Sequence, residues 1–226
     1  MQEVESLRKK LNRRQADLNR LMNAHSDGQA AIQMFLQQHA SLHSSLVAPS
    51  PLGSLEDLIL NDLSEAQFRA IPPKGEHSIA WIIWHLARIE DIAMNLVVAG
   101  GEQVFSGDDW AERLNSPILH SGNAMPMEEV IKLSDKLDIT ALRAYRVAVG
   151  RRTQQITREL PPEQLKHKVD VARLPRLFEQ GALIEASRGI ADYWSKRTLA
   201  GLLLMPASRH LLTHLNEAIG IKKKLT

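Results

Sequence analysis

The chain has 226 residues, of which 44% are apolar and 24% charged, with a formal net charge of +2 and no cysteine. That length suits one large domain, or one domain with appended helices, and the apolar content can bury a core. The missing cysteine excludes a disulfide scaffold, thiolate metal ligands and a protein thiol nucleophile, and the small net charge argues against a large nucleic-acid footprint.

The N-terminus, MQEVESLRKKLNRR, lacks the apolar core of a signal peptide. No apolar run approaches the roughly 20 residues of a membrane span. A cytoplasmic protein without membrane contact is expected. Strand signals are nearly absent and helical periodicity dominates. Residues 4–22 place Val4, Leu7, Leu11, Leu18 and Leu21 at helical spacing with six Lys/Arg between them. This helix packs along the rest of the chain or zips against a second subunit. A basic patch from Arg8, Lys9, Lys10, Arg13 and Arg14 is diluted by Glu3, Glu5 and Asp17, which argues against nucleic acid. A second helix is expected over about 27–46, ended by ProSerProLeuGly, and a short amphipathic piece near 54–63. The run SIAWIIWHLARIEDIAMNLVV at 78–98 is the most apolar, closed by GlyGly at 100–101. A loop-rich stretch follows, with a short helix after AspAsp at 108–109. The pattern predicts one long helix over 127–159, shorter pieces through 160–205, and a last helix from Pro206 to a Gly220 C-cap. LysLysLys at 222–224 reads as a soluble tail.

Two histidine pairs have HxxxH spacing, which on a helix puts both rings on one face, about 6 Å apart at Cβ. His39 and His43 stand among Gln37, Gln38 and Ser41 and read as surface residues. His210 and His214, in RHLLTHLNE, are flanked on the helical wheel by Ala207 and Ala218, small enough to leave room for an ion. Glu217 lies on the same side, either hydrogen-bonding an imidazole from behind or ending the helix in solvent. His85 sits on the apolar stripe of its helix, so it is buried and either hydrogen-bonded or metal-bound. Glu90 and Asp91 face away from it and are not assigned as ligands. Three inward histidines leave at least one coordination position open, the catalytic arrangement. Trp81 either walls the site or packs the core. Arg146, Arg151 and Arg152 either bind the carboxylates of a thiol cosubstrate or form a solvated basic helix end.

The blocks SIAWIIWHLARIED at 78–91 and LLLMPASRHLLTHLNEA at 202–218 resemble the DinB-like (DNA-damage-inducible) superfamily, whose wider members include bacillithiol and mycothiol S-transferases. The resemblance spans roughly 27–219. It implies an all-α four-helix bundle of up-down-down-up topology, here with an extra N-terminal helix (1–24) and a partly helical insertion (160–205), in one domain over 1–226. It implies a divalent metal, usually zinc or nickel, on His85, His210 and His214, and frequent homodimers. The expected function is a metal-dependent enzyme of thiol S-transferase type acting on a small molecule with a low-molecular-weight thiol. The alternatives are a metal-dependent hydrolase and a non-catalytic stress-associated interaction or dimerisation module.

Overall fold

The computed structural model describes residues 1–24 and 27–225. The described residues form helices without a β-strand; one isolated antiparallel bridge joins Lys168 to Thr198. Helix α1 (Gln2–Ala24) buries Val4, Leu7, Leu11, Leu18 and Met22. It packs on α2 (Gly28–Leu42), on α3 (Leu55–Leu60) and on α11 (Leu199–Leu204). The leucine stripe is therefore covered by the chain itself, and α1 takes the first of its two expected roles. Between α3 and the central helix lies α4 (Glu65–Arg69), opened by a Ser64/Gln67 capping box.

Helix α5 (Ile79–Asp91) is buried at every position. The Ser78 side chain caps it by accepting from Trp81 N. It runs on through a π-helical turn (Ile92–Ala99) and stops at Gly100, in the left-handed region at φ 70°. Around α5 pack α8 (Ile139–Glu159) and α12 (His210–Leu225), and α2 packs on both of these. These four form the bundle. The apolar core divides along α5, one half holding Ile79 to Ala87 and the other Ile89 to Val98. Buried polar groups on α5, His85, Arg88, Glu90 and Asp91, lie where the halves meet. A buried polar layer has to be internally satisfied, and both histidine groups belong to it.

Smaller helices α6 (Trp110–Arg113), α7 (Met127–Lys136), α9 (Pro175–Glu179) and α10 (Arg188–Ser195) complete the molecule. The expected single helix over 127–159 is broken at Leu137, whose ψ of 131° is not helical, and Asp138 caps α8 by accepting from Ala141 N. Pro206 does not start the last helix. It lies inside a π-helical turn (Met205–Arg209) that joins α11 to α12, where the widened turn accommodates a residue without an N–H. Gly220 is not a C-cap, because α12 continues to Leu225. Burial of Ile221 and the reach of Lys222 Nζ to the Leu58 and Ile59 carbonyls, at 3.2 and 2.8 Å, anchor this continuation. The three lysines are thus helical, with Lys222 buried. No helix among the described residues is long and apolar enough to cross a membrane.

Candidate metal centre

His85, His210 and His214 come together as the helical faces predict. One ring nitrogen from each lies within 4.8 Å of the others. His85 and His210 approach through Nε2, 3.3 Å apart. His85 Nδ1 faces the Ser121 carbonyl at 2.6 Å, and His214 Nδ1 faces Glu217 Oε2 at 2.7 Å. A carbonyl and a carboxylate only accept, so both Nδ1 atoms carry the proton. The Nε2 lone pairs are left for the centre, the arrangement that prepares imidazole for a metal. His210 Nδ1 is buried without a partner.

The positions behind these rings are built deliberately. Trp81 lies flat between His77 and His85, with ring centroids 3.8 and 4.6 Å away, so it walls the site and packs the core together. Glu217 accepts from His77 Nδ1 through Oε1 at 2.8 Å while Oε2 holds His214. Burial alone would push the Glu217 carboxyl up, but the bonds from His214 and His77 outweigh it and bring its pKa to about 2. Burial, reinforced by His214, lowers His85 to about 3. His210 is lowered well below the usual imidazole range by burial and its two histidine neighbours. Both are neutral, as ligands must be. Ser121 N donates to the Ala182 carbonyl at 3.0 Å, so the insertion 160–205 braces the loop that orients His85. His77 carried no signal of its own in the sequence.

The expectation that His39 and His43 lie near solvent is wrong. Both are fully buried, stacked at 4.1 Å, with Glu90 between them and α8. Helix α1 covers α2, and Gln38, which made the pair look solvated, is itself buried on Leu11 O and Gln15. His39, His43 and Glu90 also bring three potential ligand atoms within 4.8 Å. Their hydrogen bonds point the other way. Gln154 Oε1 accepts from Arg158 Nη2 at 2.8 Å, so Gln154 Nε2 must be the atom facing His39 Nδ1 at 3.0 Å. His39 Nδ1 therefore accepts, and its proton sits on Nε2, 2.8 Å from Glu90 Oε1. The ligand position is occupied by that proton. Arg146 Nη1 adds a full positive charge 2.7 Å from Glu90 Oε2.

Arg146 fits neither expectation for the basic helix end. It is buried between Glu90 and Glu56, whose Oε2 takes Arg146 Nε at 3.0 Å. Burial opposes the Glu90 charge, yet Arg146 and the hydrogen bond from His39 Nε2 hold its carboxyl well below the usual range. His43 is driven to about 3 by burial and by Arg146. Its Nε2 lies 3.0 Å from Glu90 Oε2 with poor alignment, and its Nδ1 has no partner. Arg151 binds the Leu46 carbonyl and Arg152 binds Asn95 Oδ1. Asp91 accepts from Tyr145 and from the Val104 and Phe105 amides, away from His85 as expected.

The donor set of the first group fits a divalent ion. Two nitrogens at about 2.0–2.1 Å from a tetrahedral ion lie about 3.3–3.4 Å apart, which is the His85–His210 separation found here. The two Nδ1 hydrogen bonds fix the tautomers that such an ion needs.

Comparison with curated proteins finds no match. Comparison with protein families matches residues 55–218, which hold α3 through most of α12 and all three histidines of the first group. On that match and the all-helical bundle, the chain belongs to the DinB superfamily.

Proposed function

We propose that the protein holds one divalent ion on His85, His210 and His214 and uses it as an enzyme of thiol S-transferase type. The observation that carries the metal reading is the pair of acceptors behind the rings, Ser121 O and Glu217 Oε2, which turn the Nε2 lone pairs of His85 and His214 toward a shared centre. Three nitrogens leave a coordination position for a reactant. When bound, the ion supplies Lewis acidity that lowers the pKa of a thiol or a water in that position.

The chain's own residues favour the thiol. Hydrolysis calls for a general base beside the ion, with a pKa near the working pH. Glu217 is a carboxylate bonded to a ring of the centre, but both its oxygens are engaged by His77 and His214, and its pKa of about 2 makes it a poor base. A thiol needs no such base once its proton is lost on binding. Trp81, stacked on His85, keeps one side of the centre dry.

The test is a cobalt-loaded sample titrated with a low-molecular-weight thiol and followed by visible absorption. A new sulfur-to-cobalt charge-transfer band, absent in His214→Ala, is expected. Cobalt spectra that respond to hydrolysable amides but not to any thiol would favour the hydrolase.

A further inference from the structure

A pocket of about 200 Å³ opens beside His210. Its wall is apolar, made by Ile89 from α5, Met205 from the π-helical turn, and Ile190 and Trp194 from α10. An apolar protein cavity of roughly 150 Å³ already accommodates benzene, so this volume takes a single ring or a short branched chain. No Lys, Arg, Asp or Glu lines it. Arg197 and Arg209 lie instead in a separate groove, across Tyr193 and Met205.

Asn123 supplies an amide at the wall. Its Oδ1 is taken by Ser121 Oγ at 2.8 Å, which leaves its NH₂ for an acceptor on a ligand. Small-molecule sites are typically apolar with a few placed polar groups that fix orientation. Ser121 is the residue whose carbonyl holds His85, so pocket and centre share this loop as well as His210.

Helix α10 leaves its part of the wall open. Gly189 is its second residue, and a Cβ there would meet nothing within 4 Å. Glycine is a poor helix residue, and packing does not require it at this position. Tyr193 stands at the rim, 37% exposed. All the α10 residues of the pocket come from the insertion 160–205, outside the four bundle helices.

We propose that this pocket receives the uncharged apolar end of the substrate, a small aromatic or branched aliphatic group with a hydrogen-bond acceptor, and presents it to the three-histidine centre. This rests on the metal reading above. It makes the insertion the element that selects the substrate.

The test uses the full-length chain and fluorine NMR with para-fluorobenzyl alcohol and para-fluorobenzoate, probes of equal size and different charge. The alcohol should give a saturable shift and the benzoate none. Gly189→Leu adds a side chain to the wall at a Cβ position that meets nothing within 4 Å, and should weaken the alcohol about tenfold or more, a difference of about 1.4 kcal/mol, with metal content unchanged and the urea midpoint no lower than in the wild type. In the cobalt-loaded chain the bound fluorine line should broaden relative to the zinc-loaded chain, because the ion lies close by. Equal binding of the benzoate, or no effect of Gly189→Leu, overturns the pocket assignment. Metal present without alcohol binding also overturns it and leaves the metal reading intact. Alcohol binding to a chain that takes up no metal overturns presentation to the centre together with the metal reading.

Discussion

The Ser121 carbonyl sits 2.6 Å from His85 Nδ1, and the chain reaches that position only because residue 122 has no side chain. Gly122 has φ +87°, and a Cβ there would lie 2.5 Å from Trp84 Cζ3. Trp84 is fully buried and cannot withdraw.

Gly122→Ala should therefore cost on the order of 1–3 kcal/mol in stability from backbone strain alone, with the clash in addition. It should also displace the Ser121 carbonyl and reduce metal occupancy while all three histidines remain. Urea unfolding and elemental analysis of the folded protein check both parts. Full metal content in a destabilised Gly122→Ala would remove the Ser121 carbonyl from the account.

Glu217→Gln tests the other acceptor. An amide can accept from one imidazole but must offer its NH₂ to the other, so His77 or His214 loses its partner or changes tautomer. Loss of a hydrogen bond behind a metal ligand typically weakens metal binding about 10- to 100-fold. A competitive chelator titration should show a drop of that size, with the helical circular dichroism unchanged. Unaltered affinity would mean that Glu217 serves only His77 and the helix end.

Arg146→Met separates the second histidine group from the first. Removing one partner of a buried ion pair typically costs about 3–5 kcal/mol. Here it leaves Glu56 and Glu90 buried with reduced compensation. A large fall in the urea midpoint is expected, with metal per folded chain unchanged. An additional ion per folded chain in Arg146→Met would mean that His39, His43 and Glu90 can also hold one once that positive charge is gone.

The pH dependence of the chelated protein follows from the neutral histidines. His85 and His43 have folded pKa values of about 3, below the ordinary 6.5 of the unfolded chain. Between these values the unfolded state binds more protons, so stability is full above about pH 6.5 and falls as the pH drops toward 3. Each such histidine contributes a slope of about 1.4 kcal/mol per pH unit in that window. The lowered carboxyl of Glu217 acts in the same direction below pH 4.5. Urea midpoints at pH 7.5 and 5.5 should show a clear fall on acidification, and the fall should shrink in His85→Asn.

The three-histidine group was legible because each ring sits on a helix face that the apolar pattern already turned inward. Ala207 and Ala218, both fully buried, leave the space that their small size suggested. The second group was not legible. Its partners come from afar, with Glu90 51 residues from His39 and Gln154 115 residues away. Local polar neighbours such as Gln38 suggested solvent, and only the packing of α1 reverses that. His77 was invisible for the same reason, since Glu217 is 140 residues away. The break at Leu137 and the continuation past Gly220 likewise depend on tertiary contacts that override local propensity.

The most direct measurement is elemental analysis of the untagged full-length protein, purified without chelator, beside His210→Ala and His43→Ala, expressed per folded chain. The three-histidine site predicts about one divalent ion per chain in the wild type and in His43→Ala, and none in His210→Ala. An ion retained by His210→Ala and lost from His43→Ala, or a wild type that takes up none after reconstitution, would contradict it.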